Sequence, residues 1–365
     1  LVGIMDTFIV SYAGEAAVSG VSLVNSFNTI FIYLFTALAS GGAVVISQYI
    51  GNQDKKNSIL SSSQLVMFSC IFSIVVSVVV LLFQKPILSG LFGRVDGDVM
   101  EACMTYLRIS AYSYPFIAIY NAGASLYRSM AKTKTTMNIS LVSNLINIIG
   151  NYIGVFVLHA GVAGVAVPSL LARAFSAIVI TCLCFDAQLA AYYTKEGILT
   201  WDSAMLKRVL NIAVPNGIEN GIFQFVKVAL SSVVALFGTY QIAANGIAQS
   251  IWSLAALMGV ALGPVYITVI GQCMGKQDTA QAKYYFKKLN RLALVLSLVW
   301  NVLIFLITPG WMKFYQVSQE TIQMVIYLVA IHNFFNAFVY PFSGPLSNGL
   351  RAAGDVKFTM IVSVA

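Results

Sequence analysis

The chain has 365 residues, of which 59% are hydrophobic and only 9% charged, against about 25% charged in an ordinary soluble domain. So few charges cannot cover a water-facing surface, which excludes a water-soluble globular fold. The formal net charge of +8 would suit a nucleic-acid partner, but its distribution along the chain argues against one.

Apolar blocks of about 20 residues or more match the length a helix needs to cross roughly 30 Å of hydrocarbon. They predict membrane helices at 1–13, 17–47, 60–84, 101–127, 136–158, 160–185, 207–236, 241–272, 289–310 and 322–348, with an eleventh beginning at Lys357. The fold class is an all-α polytopic membrane protein. The first segment has no run-up before Leu1 and the last stops at Ala365, as in a fragment that is incomplete at both ends. Basic residues gather in alternate loops: Lys55 and Lys56; Arg128, Lys132 and Lys134; Lys195, Lys207 and Arg208; Lys276 to Arg291; Arg351 and Lys357. The intervening loops hold little beyond Lys85, Arg94 and Lys313. By the positive-inside rule the basic loops face the cytoplasm, and the localisation is a multi-pass protein of the cell membrane. The five cysteines, Cys70, Cys103, Cys182, Cys184 and Cys273, lack CxxC spacing and paired histidines and are read as small hydrophobes.

The two halves of the sequence match. At an offset of 224 residues Gly14–Asp54 overlays Gly238–Asp278, ending in Gln48-Tyr-Ile-Gly51-Asn-Gln53-Asp54 against Gln272-Cys-Met-Gly275-Lys-Gln277-Asp278. Further on, Arg128 to Lys134 overlays Arg351 to Lys357. Both repeated pieces fall in loops on the same side, so the copies are parallel repeats of six helices each. The expected organisation is an N-lobe over 1–185, a cytoplasmic connector over 186–206 and a C-lobe over 207–365.

Several stretches resemble the multidrug and toxic compound extrusion (MATE) family of transporters: Asp6-Thr-Phe-Ile-Val followed by Gly14, the Gly51-to-Asp54 helix end, the Arg128–Lys134 turn, Asn147-Ile-Ile-Gly-Asn151, Gly161-Val-Ala-Gly164, and Pro215. The resemblance implies a twelve-helix protein of two six-helix lobes. It also implies export of amphipathic, usually cationic compounds in exchange for H⁺ or Na⁺ by rocking of the lobes.

Charged groups at mid-bilayer are costly and need a reason. Asp6 is the carboxylate best placed to take a proton or Na⁺, unless it lies near a helix end in solvent. By resemblance it is joined by Asn147, Asn151 and Ser169. The i, i+4 spacing sets the two Asn residues on one face, where their alternative role is to hydrogen-bond neighbouring helices. Asn151 stands where the family has a second carboxylate, which weakens the case for Na⁺. Glu219, Gln224, Lys227, Tyr33, Tyr120 and Tyr340 are candidates for a substrate cavity. Glu219 either contacts a cationic substrate, pairs with Lys227, or is wet near a helix start; Lys227 either snorkels or faces the cavity. Arg108 and Arg173 are expected near interfaces or paired.

No Walker A, HExxH or GxSxG pattern is present, so neither direct ATP drive nor hydrolase chemistry is expected, and no cofactor or resident metal. The expected partners are a small amphipathic molecule and the lipid bilayer, with no nucleic acid and no obligate protein partner. The alternative is a flippase for a lipid-linked oligosaccharide, a relative of similar architecture whose cavity should carry several cationic side chains.

Overall fold

A computed structural model describes residues 9–10, 12, 15–92, 97–234, 239–312 and 318–364. Fifteen helices and no strand occur among the described residues. They are α1 (Glu15–Gly51), α2 (Lys55–Leu82), α3 (Gln84–Phe92), α4 (Gly97–Tyr112), α5 (Tyr114–Ser129), α6 (Thr133–Tyr152), α7 (Ala163–Cys184), α8 (Lys195–Leu199), α9 (Ser203–Val234), α10 (Thr239–Ala255), α11 (Leu257–Gly275), α12 (Thr279–Met312), α13 (Gln319–Phe338), α14 (Tyr340–Ala352) and α15 (Val356–Val364). Seven helices are long and apolar enough to cross a membrane among the described residues.

The helices are inside-out relative to those of a soluble protein. Helix α2 buries Ser58, Ser62, Ser69, Ser73 and Ser77 while Ile71, Ile74, Val75, Val78, Val79 and Leu82 face outward. Their i, i+3, i+4 spacing makes that outward set one stripe, the surface a lipid-facing helix requires. The buried serines admit close approach of neighbours and hand their hydroxyls to backbone carbonyls, Ser62 Oγ to Ser58 O at 2.7 Å for example. Helix α12 repeats the pattern, with Leu289, Ala293, Ser297, Asn301, Thr308 and Met312 buried in a line.

Three predicted spans prove to be pairs of helices meeting at one residue. The segment at 101–127 divides at Ser113, that at 241–272 at Ala256, and that at 322–348 at Val339. Two of the breaks share a cause. Tyr114-Pro115-Phe116 opens α5 and Tyr340-Pro341-Phe342 opens α14, and proline supplies no N–H to the turn before it. At the first break the carbonyl of Ala111, four residues before Pro115, accepts instead from Ser77 Oγ of α2 at 2.7 Å. A hydroxyl from a neighbouring helix thus replaces the missing donor, as hydrocarbon surroundings demand. The Ala256 break carries no proline at the junction.

The chain forms two compact units, residues 1–46 with 54–217, and residues 47–53 with 218–365. In the first unit α7 packs on α4, α5 and α6, while α2 packs on α5 and carries α8. There Gln64, buried in α2, donates to the carbonyls of Gly197 and Thr200 and accepts from Asp202 N, fixing the segment after α7 to α2. In the second unit α11 packs on α14, α10 on α13, and α12 on both α11 and α13.

The sequence repeats are helix-ending devices. Gln53 and Gln277 both adopt a left-handed conformation, φ 58° and 59°, stopping one helix, and the following aspartate caps the next. Asp54 Oδ1 accepts from Asn57 N at 3.0 Å and Asp278 Oδ1 from Gln281 N at 2.8 Å. Ala131 (φ 60°) and Gly354 (φ 99°) play the corresponding part after α5 and α14. Within the second unit the repeated glycines meet each other's helices: a Cβ on Gly51 would overlap the Gln272 carbonyl, and one on Gly275 the Gln48 carbonyl.

Candidate functional site

Helices α6 and α7 approach through small residues. A Cβ on Gly150 would press on Pro168, and one on Gly154 would overlap the backbone of Gly164. Two contacts one turn apart on each helix hold the pair close. Helix α6 ends there in a wider π turn, Ile153–Val157, before His159 (φ 50°) and Gly161 (φ 55°) reverse the chain. This packing sets the face carrying Asn147 and Asn151 against Ser169. All three are buried. Asn147 Nδ2 donates to Ser169 Oγ at 2.8 Å, and Asn151 Nδ2 reaches Asn147 Oδ1 at 3.4 Å. The three residues therefore converge as expected. Asp6 lies outside the described residues.

One turn beyond Ser169, Arg173 stands ten residues from the start and eleven from the end of α7, about 15 Å from either end at 1.5 Å per residue. The expectation that it lies near an interface or is paired is corrected. Its Nη1 donates to Ser113 Oγ at 2.6 Å, at the α4–α5 break, and no carboxylate pairs with it among the described residues. It faces a cavity of about 160 Å³ lined also by Tyr120, Ser140, Ser143, Asn144 and Ser176. Tyr120 shares a hydrogen bond with Ser140 Oγ at 2.7 Å. Tyr33 is partly exposed on α1, and Arg108 is exposed.

In the second unit Glu219 does not pair with Lys227. Its Oε2 lies 2.5 Å from Arg351 Nη2, and its Oε1 accepts from Ser363 Oγ at 2.9 Å. Arg351 also donates from Nη1 to Asn348 Oδ1 at 2.9 Å. The guanidinium was closer in space than the ammonium eight residues along the same helix. Lys227 Nζ instead sits 4.4 Å from the ring centre of Trp252 and 4.9 Å from that of Phe223, a cation–π clasp that disperses its charge. Gln224 is half-buried, and the Tyr340 ring packs over Gly259 and Gly344.

A further polar layer joins α12 and α13. Asn333 Nδ2 donates to Asn301 O at 3.1 Å and Asn301 Nδ2 to Ser297 O at 2.8 Å, leaving Asn301 Oδ1, Asn333 Oδ1, Asn336 Nδ2 and His332 Nδ1 buried without a protein partner. Reading the sequence singled out neither Asn301 nor Asn144. Both are amides inside apolar segments, and that is the signal that would have found them. Asn25 and Asn28 escaped in the same way; they accept from Tyr106 and Tyr114, the latter at 2.6 Å.

The MatE family's sequence profile matches residues 1–153 and 215–365. The uncharacterized transporter YisQ of Bacillus subtilis is 24% identical over 370 residues, spanning 99% of this chain and 80% of that protein. The probable multidrug resistance protein NorM of Thermotoga maritima is 22% identical, spanning 100% of this chain and 78% of its own. The multidrug export protein MepA of Staphylococcus haemolyticus matches at 24% over 67% of this chain and 54% of its own. Among solved structures, MATE in the straight conformation superposes with a TM-score of 0.88 at 19% identity, covering 100% of this chain and 80% of that one. An outward-facing multidrug resistance MATE transporter of the MOP superfamily gives 0.87 at 19% identity, with the same coverage.

Proposed function

Because the chain belongs to the MatE family, we propose that it is a multidrug exporter of the cell membrane, a cation-coupled antiporter that expels amphipathic, cationic compounds. The names of its relatives NorM and MepA support efflux, and family membership supports transport rather than catalysis. The basic loops face the cytoplasm in this reading, and two lobes rock to expose the substrate alternately to either side.

The observation that carries the coupling proposal is the buried Asn147–Asn151–Ser169 cluster. With Asp6 it forms the cation site. Protonating or binding a cation to that carboxylate removes a negative charge from the interior of the lobe and changes which helix packing is preferred. Substrate and cation are then linked reciprocally, each lowering the affinity for the other. The hydrogen bonding favours H⁺ over Na⁺. Asn147 Oδ1 accepts from Asn151, and Asn147 Nδ2 donates to Ser169, so the Asn147 oxygen is already engaged where a hard cation requires several oxygens turned to one centre. A lipid-linked oligosaccharide flippase would need free cationic groups for a pyrophosphate, whereas Arg351 is held by Glu219 and Lys227 by two rings.

The test uses the full-length protein in inside-out vesicles, with uptake of a fluorescent lipophilic cation under an imposed pH or Na⁺ gradient. Uptake driven by the pH gradient and abolished by Asp6→Asn is expected. Undiminished uptake in the mutant would refute the site, and uptake driven only by Na⁺ would reverse the choice of ion.

A further inference from the structure

A guanidinium halfway along a membrane helix demands compensation. Arg173 has none from a carboxylate among the described residues, and Ser113 takes only one of its five N–H groups. Arg173 lines a cavity of about 160 Å³, room for roughly five waters. Its lining carries two donor side chains, Arg173 and Asn144, and no acid. Asn144, on α6, contributes an amide that none of the hydrogen bonds among the described side chains engages. Tyr120 donates to Thr136 O at 3.4 Å and shares a hydrogen bond with Ser140 Oγ at 2.7 Å, so the two hydroxyl hydrogens of that pair are engaged within the protein. Ser143 and Ser176 both direct their hydroxyls to Ala172 O, at 2.9 and 3.0 Å, and so present lone pairs rather than protons. Phe116 and Ile117 complete the lining.

We propose that this cavity is an anion site, taking one monovalent anionic group: chloride, or the carboxylate of a small organic molecule. The Arg173 fork and the Asn144 amide are its principal donors. A drug-sized ligand needs about 300 Å³ or more, so the space fits an anionic group and not the whole of a large substrate. The site is distinct from the Asn147–Asn151–Ser169 cluster, which answers to a cation.

The test is thermal unfolding of the purified full-length protein in detergent. The bulky anion of HEPES is replaced by chloride or by acetate at constant ionic strength and pH. A rise in unfolding temperature is expected, growing with the logarithm of anion concentration once the site fills. A response to chloride alone identifies a halide site, and one to acetate alone the carboxylate end of an organic ligand. Arg173→Gln should abolish the rise, and Arg108→Gln, an exposed arginine outside the cavity, should retain it. Asn144→Asp supplies an internal carboxylate to Arg173, so it should unfold in HEPES later than wild type does and gain nothing further from added anion. It carries the test if Arg173→Gln does not fold. No rise with either anion in wild type, meaning water alone fills the cavity, would overturn the proposal. So would an undiminished rise in Asn144→Asp. Neither readout depends on transport, so a failure here is separable from a failure of the exporter reading.

Discussion

In the second unit the carboxylate on α9, Glu219, is met by a guanidinium at 2.5 Å and a hydroxyl at 2.9 Å, and the ammonium of Lys227 is lodged against two rings. In the first unit a polar cluster is made of amides and a hydroxyl, Asn147, Asn151 and Ser169, with Arg173 one turn beyond and no acid against it among the described residues. The two units thus treat their charges differently: Glu219 is neutralised by Arg351, while Arg173 meets a hydroxyl and no acid among the described residues. A paired charge is structural, because its state is fixed by its neighbour. A charge without an internal counter-charge can respond to an ion, which is what the anion-site proposal asks of Arg173.

The largest test of this contrast breaks the pair. Glu219→Gln or Arg351→Met alone should cost about 3–5 kcal/mol, because each strands a buried charge, while the double substitution should recover most of it; thermal unfolding of the four proteins closes the cycle. Next, Gly154→Val forces α6 from α7 and should destabilise by about 1–3 kcal/mol, with loss of gradient-driven uptake because Asn147 and Ser169 separate. Smaller and equal effects are expected from the repeated caps, Asp54→Ala and Asp278→Ala, each about 1 kcal/mol. Hydrogen bonds from the Asn57 backbone and side chain hold the Asp54 carboxyl below its usual range. Its contribution is therefore present above the ordinary carboxylate pKa and fades as pH falls through the lowered folded-state value, so wild type and Asp54→Ala should converge in unfolding temperature only in strong acid. Last, Ala131→Gly should stabilise and Gly354→Ala destabilise by about 1 kcal/mol, since both positions are left-handed.

The spans and the repeat were legible because they rest on apolar block length and on self-similarity, and Asn147 and Asn151 share a face by i, i+4 spacing; Ser169 joined them only through the family resemblance. The breaks at Ser113 and Val339 were written in Pro115 and Pro341, but reading each apolar block as one helix passed over them. The break at Ala256 has no such mark. Pairing was harder. Glu219 finds Arg351, 132 positions away, rather than Lys227 on its own helix, because partners across a unit are set by packing that no local spacing reports. Arg173 was misjudged for the same reason. Its depth was countable from the length of α7, yet its lack of a carboxylate among the described residues is a statement about every helix around it.

The most direct test of the central claim, that the first unit couples cation and substrate, is proton release. Substrate is added to the purified full-length protein in lightly buffered detergent near neutral pH, and the pH is followed. Linkage predicts acidification on substrate binding in wild type, and none in Asp6→Asn under conditions where the substrate still binds. Substrate binding without proton release in wild type, or equal release in the mutant, would contradict it.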